Sequence, residues 1–202
     1  MKYKFREHAP VRTCTKKYAD FHRYKSYLED DFQNRCAYCN LNKAAITTPF
    51  EIDHYIPLSV FKNDWPELET TYDNLILACK KCNRAKSNQY EGDLSKKEIV
   101  NELFYDPVLT EYNDIFYRNE MGEICSNDAK GLSMISKLRL YRPIHSSAWV
   151  SEQLGLTCKK LKKYMDTLDP KSEAYKKLKD ARYELMSYYT EFIELFLANY
   201  ND

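Results

Sequence analysis

The sequence predicts an α+β fold that is mostly helical and contains one small zinc-stapled unit of two strands and a helix. Two Cys-x-x-Cys pairs, Cys36 with Cys39 and Cys79 with Cys82, predict the zinc-bound unit. Alternating apolar and polar residues between the pairs predict its strands. Apolar residues that recur every three or four positions after residue 169 predict a long helix near the C-terminus.

The four paired cysteines are the strongest of these signals. A thiolate is a soft ligand, and four of them close a tetrahedron around zinc. One Cys-x-x-Cys pair would also fit a redox dithiol, but two pairs favour zinc. The alternatives are two disulfides, which need an oxidising compartment, or four unlinked cysteines in the core. We therefore expect a structural Zn²⁺ ion bound by Cys36, Cys39, Cys79 and Cys82.

The segment between the two pairs carries strand and loop signals. Residues 50–56 alternate between apolar and polar, and residues 73–78 form a second short apolar run after a polar loop. Helix-forming residues follow Cys82. This order of strand, long loop, strand and helix would bring Asp53 and His54 close to Asn83.

Outside this segment the sequence predicts helices and one hairpin. An apolar stripe predicts an N-terminal helix over residues 15–33, and a capping-box pattern at residues 95–98 predicts the start of another helix. A turn signal between two short apolar runs predicts a hairpin over residues 112–125. We expect residues 1–92 to hold the N-terminal helix and the zinc-bound core. Residues 93–202 should form a mainly helical C-terminal region that packs on the core or on a partner.

Charge and composition exclude some classes of protein. The 202 residues include 31 basic and 30 acidic side chains, so the net charge is only +1. A protein that binds nucleic acid strongly on its own is commonly more basic. The N-terminal segment MKYKFREHAPVR has no apolar signal core, and no apolar run is long enough for a membrane span. We therefore expect a cytoplasmic protein with reduced thiols and no membrane partner.

Three motifs carry a resemblance to a known family. They are Asp53-His54, Tyr72-Asp73-Asn74-Leu75 and Cys79-Lys80-Lys81-Cys82-Asn83-Arg84-Ala85-Lys86. In order and spacing they resemble the HNH endonucleases, both the zinc-bound branch and the HNH domain of the RNA-guided CRISPR nucleases. The resemblance covers roughly residues 32–90. It implies a ββα-metal core, also described as a His-Me finger and treble-clef-like, and metal-dependent hydrolysis of phosphodiester bonds.

The resemblance assigns a catalytic role to four residues. His54 is the expected general base, since an imidazole titrates near neutrality. Asp53 and Asn83 are expected to hold one Mg²⁺ or Mn²⁺ ion through oxygen atoms. Asn83 stands where the family pattern has its last histidine, and an amide oxygen also binds a hard cation. Asn74 is expected to orient His54 through backbone hydrogen bonds, although a turn residue is the alternative reading.

Two basic residues complete the expected site. Arg84 and Lys86 follow Asn83 on the predicted helix and are expected to contact substrate phosphate. A solvated helix face is the alternative for both residues.

A second, looser resemblance concerns the segment after this core. It is carried by Phe104-Tyr105-Asp106-Pro107, Gly122-Glu123-Ile124, Gly131 and Leu138-Arg139-Leu140-Tyr141. These residues are similar to those that follow the nuclease core in HNH proteins of bacterial anti-phage systems of the Septu and retron-linked types. Such nucleases act with an ABC-type ATPase, so the resemblance implies an anti-phage role and an ATPase partner.

Three functions are consistent with these observations. The first is a metal-dependent HNH endonuclease that nicks DNA, with a partner or a homo-oligomer helping to deliver the substrate. The second is an endonuclease that cleaves RNA such as tRNA, because a histidine and a metal ion do not require a deoxyribose. The third is a non-catalytic zinc-binding interaction module. A pure zinc module would have no need of Asp53, His54 and Asn83 in these positions.

Overall fold

The computed structural model describes residues 1–200, which form two compact units. One unit comprises Met1–Glu120 and Ile124–Tyr141, and the other comprises Met121–Glu123 and the chain from Arg142 onward. Helices account for 49% of the residues, and two small sheets make the fold a mixture of helix and sheet. Residues 93–141, which the sequence led us to assign to the C-terminal region, lie mainly in the first unit.

The first unit contains short helices and two small sheets. Its elements are β1 (Tyr3–Lys4), α1 (Lys25–Asp31), β2 (Glu51–His54), α2 (Leu58–Phe61), β3 (Leu75–Ala78), α3 (Lys80–Lys86), α4 (Tyr112–Ile115), β4 (Phe116–Arg118), β5 (Ile124–Ser126) and α5 (Ala129–Lys137). The second unit contains α6 (Pro143–Met165) and α7 (Glu173–Tyr200).

The cysteine-containing segment folds as two strands followed by a helix. Strands β2 and β3 pair antiparallel, with Asp53 opposite Ile76 and His54 opposite Leu75. All four residues of β3 are buried, as its continuous apolar sequence requires. Helix α3 begins directly after Cys79, which is its N-terminal cap. The predicted order of strand, loop, strand and helix is therefore present.

A second sheet, ordered β1-β4-β5, lies elsewhere in the same unit. Strands β4 and β5 pair antiparallel and occupy part of the region expected to form a hairpin, while residues 112–115 are the short helix α4. Gly122 in the connection has a φ of 76°, a conformation that glycine adopts without steric cost. Strand β1 extends this sheet by pairing with β4.

The N-terminal helix is shorter than the sequence predicts. A 3₁₀ turn, Phe21–Tyr24, leads into α1, and residues 15–18 have no regular structure. Asp20 ends the irregular segment because its carboxylate accepts a hydrogen bond from the His22 backbone N–H and caps the turn. Tyr24 and Leu28 are buried, so the predicted apolar stripe faces the core, but only from Phe21 onward.

The helix predicted after residues 95–98 is absent, and that prediction is wrong. Only a 3₁₀ turn, Leu94–Lys96, forms, and Lys97 then adopts a left-handed conformation with a φ of 53°. Asp93, not Ser95, caps this turn. The buried Asn101 donates a hydrogen bond to the Gln89 carbonyl and accepts one from the Leu103 N–H. These bonds hold the segment as an ordered loop, so tertiary contacts override the local capping signal.

Helices α6 and α7 pack along one another, and a short connection makes them antiparallel neighbours. Gly155 on α6 lies against the ring of Tyr189 on α7. Two of the apolar residues that recur along α7, Tyr188 and Leu195, are about half exposed. Phe196, the residue after Leu195, is buried. Within residues 1–200, every helix is too short or too polar to cross a bilayer.

Candidate active site

The four paired cysteines converge in the core of the first unit. The Sγ atoms of Cys36, Cys39, Cys79 and Cys82 all lie within 4.8 Å of one another, and all four residues are buried. The Sγ atoms of Cys39 and Cys79 are 3.8 Å apart, which is about the edge of a tetrahedron with Zn–S bonds of about 2.3 Å. All four thiols are free, so the disulfide alternative does not apply. The donor set and its geometry fit a structural zinc ion.

The backbone around the first cysteine pair is shaped to present both sulfurs. Asn40 follows Cys39 with a φ of 61°, and its N–H donates to the Cys36 carbonyl to close the turn. The buried Arg118 guanidinium donates to the Cys39 carbonyl at 2.9 Å. Burial raises the pKa of the Cys39 thiol, so zinc binding there would have to displace a proton.

His54 ends strand β2 and is held in a defined orientation. Its Nε2 atom lies 2.9 Å from the Glu69 carbonyl oxygen. A carbonyl can only accept, so Nε2 carries the hydrogen and a neutral imidazole keeps its lone pair on Nδ1. The rings of Phe21 and Phe61 contact the imidazole, with centroids 4.8 Å and 5.8 Å away. The half-buried His54 therefore has one nitrogen in use and the other suited to accept a proton.

Asn74 holds the loop that positions His54. The residue is fully buried, and its Oδ1 accepts a hydrogen bond from the Ile56 N–H at 2.8 Å. Its Nδ2 donates to the carbonyls of Ile56 and Leu68, each at 3.3 Å. Leu68 immediately precedes Glu69, whose carbonyl binds His54. Asn74 bonds the backbone on both sides of the loop rather than the His54 backbone itself.

Asp53 is buried and both of its carboxylate oxygens accept hydrogen bonds. Oδ1 lies 2.8 Å from the Lys86 Nζ, and Oδ2 accepts from the Tyr38 hydroxyl at 2.7 Å. Burial raises the pKa of the Tyr38 phenol well above its ordinary value, so the hydroxyl remains a donor. Each carboxylate oxygen has a further lone pair. The carboxylate can therefore still provide a ligand to a hard cation.

The structure separates the two basic residues expected to contact phosphate. Lys86 is fully buried, and its ammonium donates to Asp53 and, at 2.7 Å, to the His54 carbonyl. An ammonium in that position is bound within the site rather than exposed on the helix surface, so Lys86 differs from the exposed phosphate contact that the sequence led us to expect. Arg84 is exposed on the same helix and remains available to a substrate.

Asn83 is half-buried on α3 and is oriented by Glu51. Its Nδ2 donates to the Glu51 Oε2 at 2.8 Å. A carboxylate only accepts hydrogen bonds, so the amide nitrogen must face Glu51 and the amide oxygen is directed away from it. The amide oxygen, the atom of Asn83 that can ligate a hard cation, is therefore not the atom that faces Glu51.

Two hydrogen-bonded pairs join strand β2 to helix α3. Glu51 accepts a hydrogen bond from Asn83, and Asp53 accepts one from Lys86. Residues two apart share a face of a strand, and residues three apart share a side of a helix. One face of β2 thus packs on one side of α3, and the oxygen donors Glu51, Asp53 and Asn83 lie at this junction.

Three residues of this site, Glu51, Tyr38 and Phe21, were not identified from the sequence. Glu51 could have been identified, since it lies two positions before Asp53 and so shares its face of the strand. The position of Tyr38 between two cysteines is a weaker indication of a role in the site. Nothing in the sequence indicates Phe21, because it contacts His54 only through the tertiary fold.

Comparisons with known proteins agree with this geometry. Residues 36–89 match the sequence model of the HNH endonuclease family. The chain is 31% identical over 74 residues to the Septu protein PtuB of Bacillus thuringiensis. That alignment covers 37% of this chain and 26% of the relative, so it spans about a quarter of the relative's length. No solved structure matches the chain.

The family is one of nucleases, and the part of the chain that matches it contains the cysteine cluster, Asp53, His54, Asn74 and Asn83. Residues 36–89 are thus similar to an HNH endonuclease domain in sequence, and their strand–strand–helix order and cysteine cluster agree with that similarity.

Proposed function

We propose that this protein is a metal-dependent endonuclease that hydrolyses phosphodiester bonds of DNA and produces nicks. The observation that carries the proposal is the orientation of His54. Its Nε2 is bound to the Glu69 carbonyl, and its Nδ1 is available as a base. The oxygen donors of Asp53 and Asn83 lie on elements that adjoin it.

The protein residues supply the following chemistry. Nδ1 of His54 takes a proton from the attacking water, and the Glu69 carbonyl stabilises the imidazolium that forms. Asp53 and Asn83 would hold one Mg²⁺ or Mn²⁺ ion, and their oxygen atoms fit such a hard cation. When bound, this ion would neutralise charge on the phosphate and assist the leaving 3′ oxygen. Asn74 keeps His54 in place through the loop that contains Leu68 and Glu69.

A zinc ion bound by the four cysteines is part of the proposal and has a structural role. The four thiols close the coordination sphere, which leaves no position for a substrate. The zinc would connect the turn at Cys36–Cys39 to the start of α3 at Cys79–Cys82 and so hold β2 against the helix. Both metal sites are thus assigned different tasks.

We propose Arg84 as a contact to the substrate backbone. Arg84 is exposed on α3, one residue after Asn83. A guanidinium binds phosphate through paired donors. This contact would position the nucleic acid without selecting a base sequence.

We propose a role in anti-phage defence together with an ABC-type ATPase. The similarity to a Septu protein supports the defence role, and the resemblance of the segment after the core supports the ATPase. The net charge of +1 also favours delivery of the substrate by a partner or by a second copy of the chain. One site cuts one strand, so a double-strand break would need two copies or two encounters.

Incubation of the purified protein with supercoiled plasmid and, separately, with tRNA tests the proposal. Each reaction contains Mg²⁺, Mn²⁺ or a chelator, with and without the products of the neighbouring genes, and the His54→Ala protein is the inactive control. The expected result is conversion of supercoiled plasmid to open circles, dependent on the metal ion and on His54.

Three outcomes contradict parts of the proposal. Cleavage of tRNA but not of plasmid would identify the protein as an RNA endonuclease. Equal cutting by His54→Ala removes the proposed base. A protein that binds one zinc ion but cuts neither substrate, alone or with its partner, is better described as a non-catalytic zinc module.

A further inference from the structure

We propose that Tyr38 is a positioning residue for the divalent-ion site. It connects the cysteine cluster to the carboxylate of Asp53, so the affinity for the divalent ion depends on the Tyr38 hydroxyl. The inference rests on the proposed role of Asp53 as a ligand of that ion.

The contact is short and excluded from water. The Tyr38 hydroxyl donates to Oδ2 of Asp53 at 2.7 Å, and the two residues are 1% and 6% exposed. Water therefore cannot replace the phenol as the partner of this oxygen. Since the carboxylate only accepts and the buried phenol keeps its proton, the bond has one direction.

The position of Tyr38 in the chain links the cysteine cluster to the Asp53 carboxylate. Tyr38 lies between Cys36 and Cys39, and the turn that presents both sulfurs also places its ring. The second partner of Asp53, Lys86, lies on α3, which contains Cys82. The turn that contains the first cysteine pair and the helix that contains Cys82 therefore each place one hydrogen-bond donor on the Asp53 carboxylate.

Two donors on two oxygens fix the plane of the Asp53 carboxylate. The lone pairs that remain then have a defined direction before any ion binds. Partners of metal-binding carboxylates typically change metal affinity or activity by about 10- to 100-fold when they are removed. Loss of the Tyr38 hydroxyl would leave Oδ2 unpaired in a buried site and the carboxylate free to turn.

The test measures Mn²⁺ binding without nucleic acid, by electron paramagnetic resonance and by calorimetry. The variant is Tyr38→Phe, which removes only the hydroxyl. The matched control is Tyr55→Phe, because the Tyr55 hydroxyl is also buried in the same unit and donates to the Phe104 carbonyl at 2.7 Å. Zinc content and melting temperature are measured for every protein.

The expected result is a Mn²⁺ affinity about 10- to 100-fold weaker in Tyr38→Phe, with zinc content equal to that of the wild type. Tyr55→Phe should melt earlier but bind Mn²⁺ like the wild type. Tyr38→Leu is a second variant that lacks the hydroxyl but packs differently, and it should show the same loss of affinity. A general loss of stability would affect the Tyr55 control as well.

The Asp53→Asn variant separates this inference from the proposed function. Weak Mn²⁺ binding by Asp53→Asn together with wild-type binding by a folded Tyr38→Phe or Tyr38→Leu overturns the role of Tyr38 alone. Wild-type binding by Asp53→Asn overturns the assignment of Asp53 as a ligand, and with it the proposed metal site.

Discussion

The ammonium of Lys86 lies 2.8 Å from the carboxylate of Asp53; the lysine side chain is fully buried and the aspartate side chain is 6% exposed. Lys86 also binds the His54 carbonyl, so one lysine contacts both residues of the Asp-His pair. The contact joins strand β2 to helix α3 across 33 residues of sequence. The positive charge of Lys86 is therefore paired with the carboxylate of Asp53 inside the protein rather than exposed on the surface of the helix.

The first prediction compares Lys86 with Arg84, two residues away on the same helix. Lys86→Met leaves the Asp53 carboxylate buried without its counter-charge, which typically costs about 3–5 kcal/mol of unfolding free energy. Arg84→Ala should change that free energy by less than about 0.5 kcal/mol, because the side chain is exposed. Urea denaturation measures both. Equal stability of the Lys86→Met protein and the wild type contradicts the buried pair.

The Arg84 side chain should affect the affinity for nucleic acid, although it should have little effect on stability. The Arg84→Ala variant should bind DNA more weakly, and the slope of log affinity against log salt should fall by about 0.9 for one lost phosphate contact on duplex DNA. Fluorescence anisotropy at several salt concentrations gives this slope. An unchanged slope argues that Arg84 belongs to a solvated helix face.

The second prediction concerns His54. Replacement with Ala should reduce the nicking rate by about 10²- to 10⁴-fold, the usual contribution of a general base. Folding should persist, since one hydrogen bond to a carbonyl is worth about 0.5–1.5 kcal/mol. His22 is an exposed histidine close to the site in space, because its ring stacks on Phe21. His22→Ala is therefore the matched control and should keep the wild-type rate.

The third prediction concerns Asn74. The Asn74→Ala variant loses one acceptor and two donors in a fully buried position and leaves backbone groups of Ile56 and Leu68 unpaired. Each unpaired buried group costs about 1–3 kcal/mol, so a large fall in melting temperature is expected. Asn63→Ala, an exposed change in the same loop, should have little effect. Similar melting of the two variants would show that Asn74 does not hold the loop.

The fourth prediction concerns the cysteine cluster. Cys79→Ser should lower the zinc content and the melting temperature, because the folded core of a small metal-bound unit depends on its ion. Cys14 is half-buried and lies outside the cluster, so Cys14→Ser should retain zinc and stability. Atomic emission and thermal melting provide the readouts. Equal zinc content in both variants would refute zinc binding by the four thiols.

Local sequence carried enough information to predict the cysteine cluster and the order of the elements around it. The cysteine spacing, the strand period around Asp53 and the apolar run before Cys79 depend on neighbours in the chain, and all three features are present in the fold. Local signals failed where distant residues compete with them. The capping-box pattern at residues 95–98 starts no helix, because the side-chain hydrogen bonds of Asn101 hold this segment as a loop. The apolar stripe near the N-terminus forms no helix before Phe21.

The residues and their spacing supply the chemical groups of the candidate site: four soft sulfur ligands, the imidazole of His54 and a set of oxygen donors. Which of these groups are exposed, and what each one binds, depends on the tertiary fold. Lys86 and Arg84 are equivalent in the sequence pattern, yet one is buried against Asp53 and the other faces solvent. The physical reason is that burial and charge pairing depend on contacts between residues far apart in the chain, which local patterns do not encode.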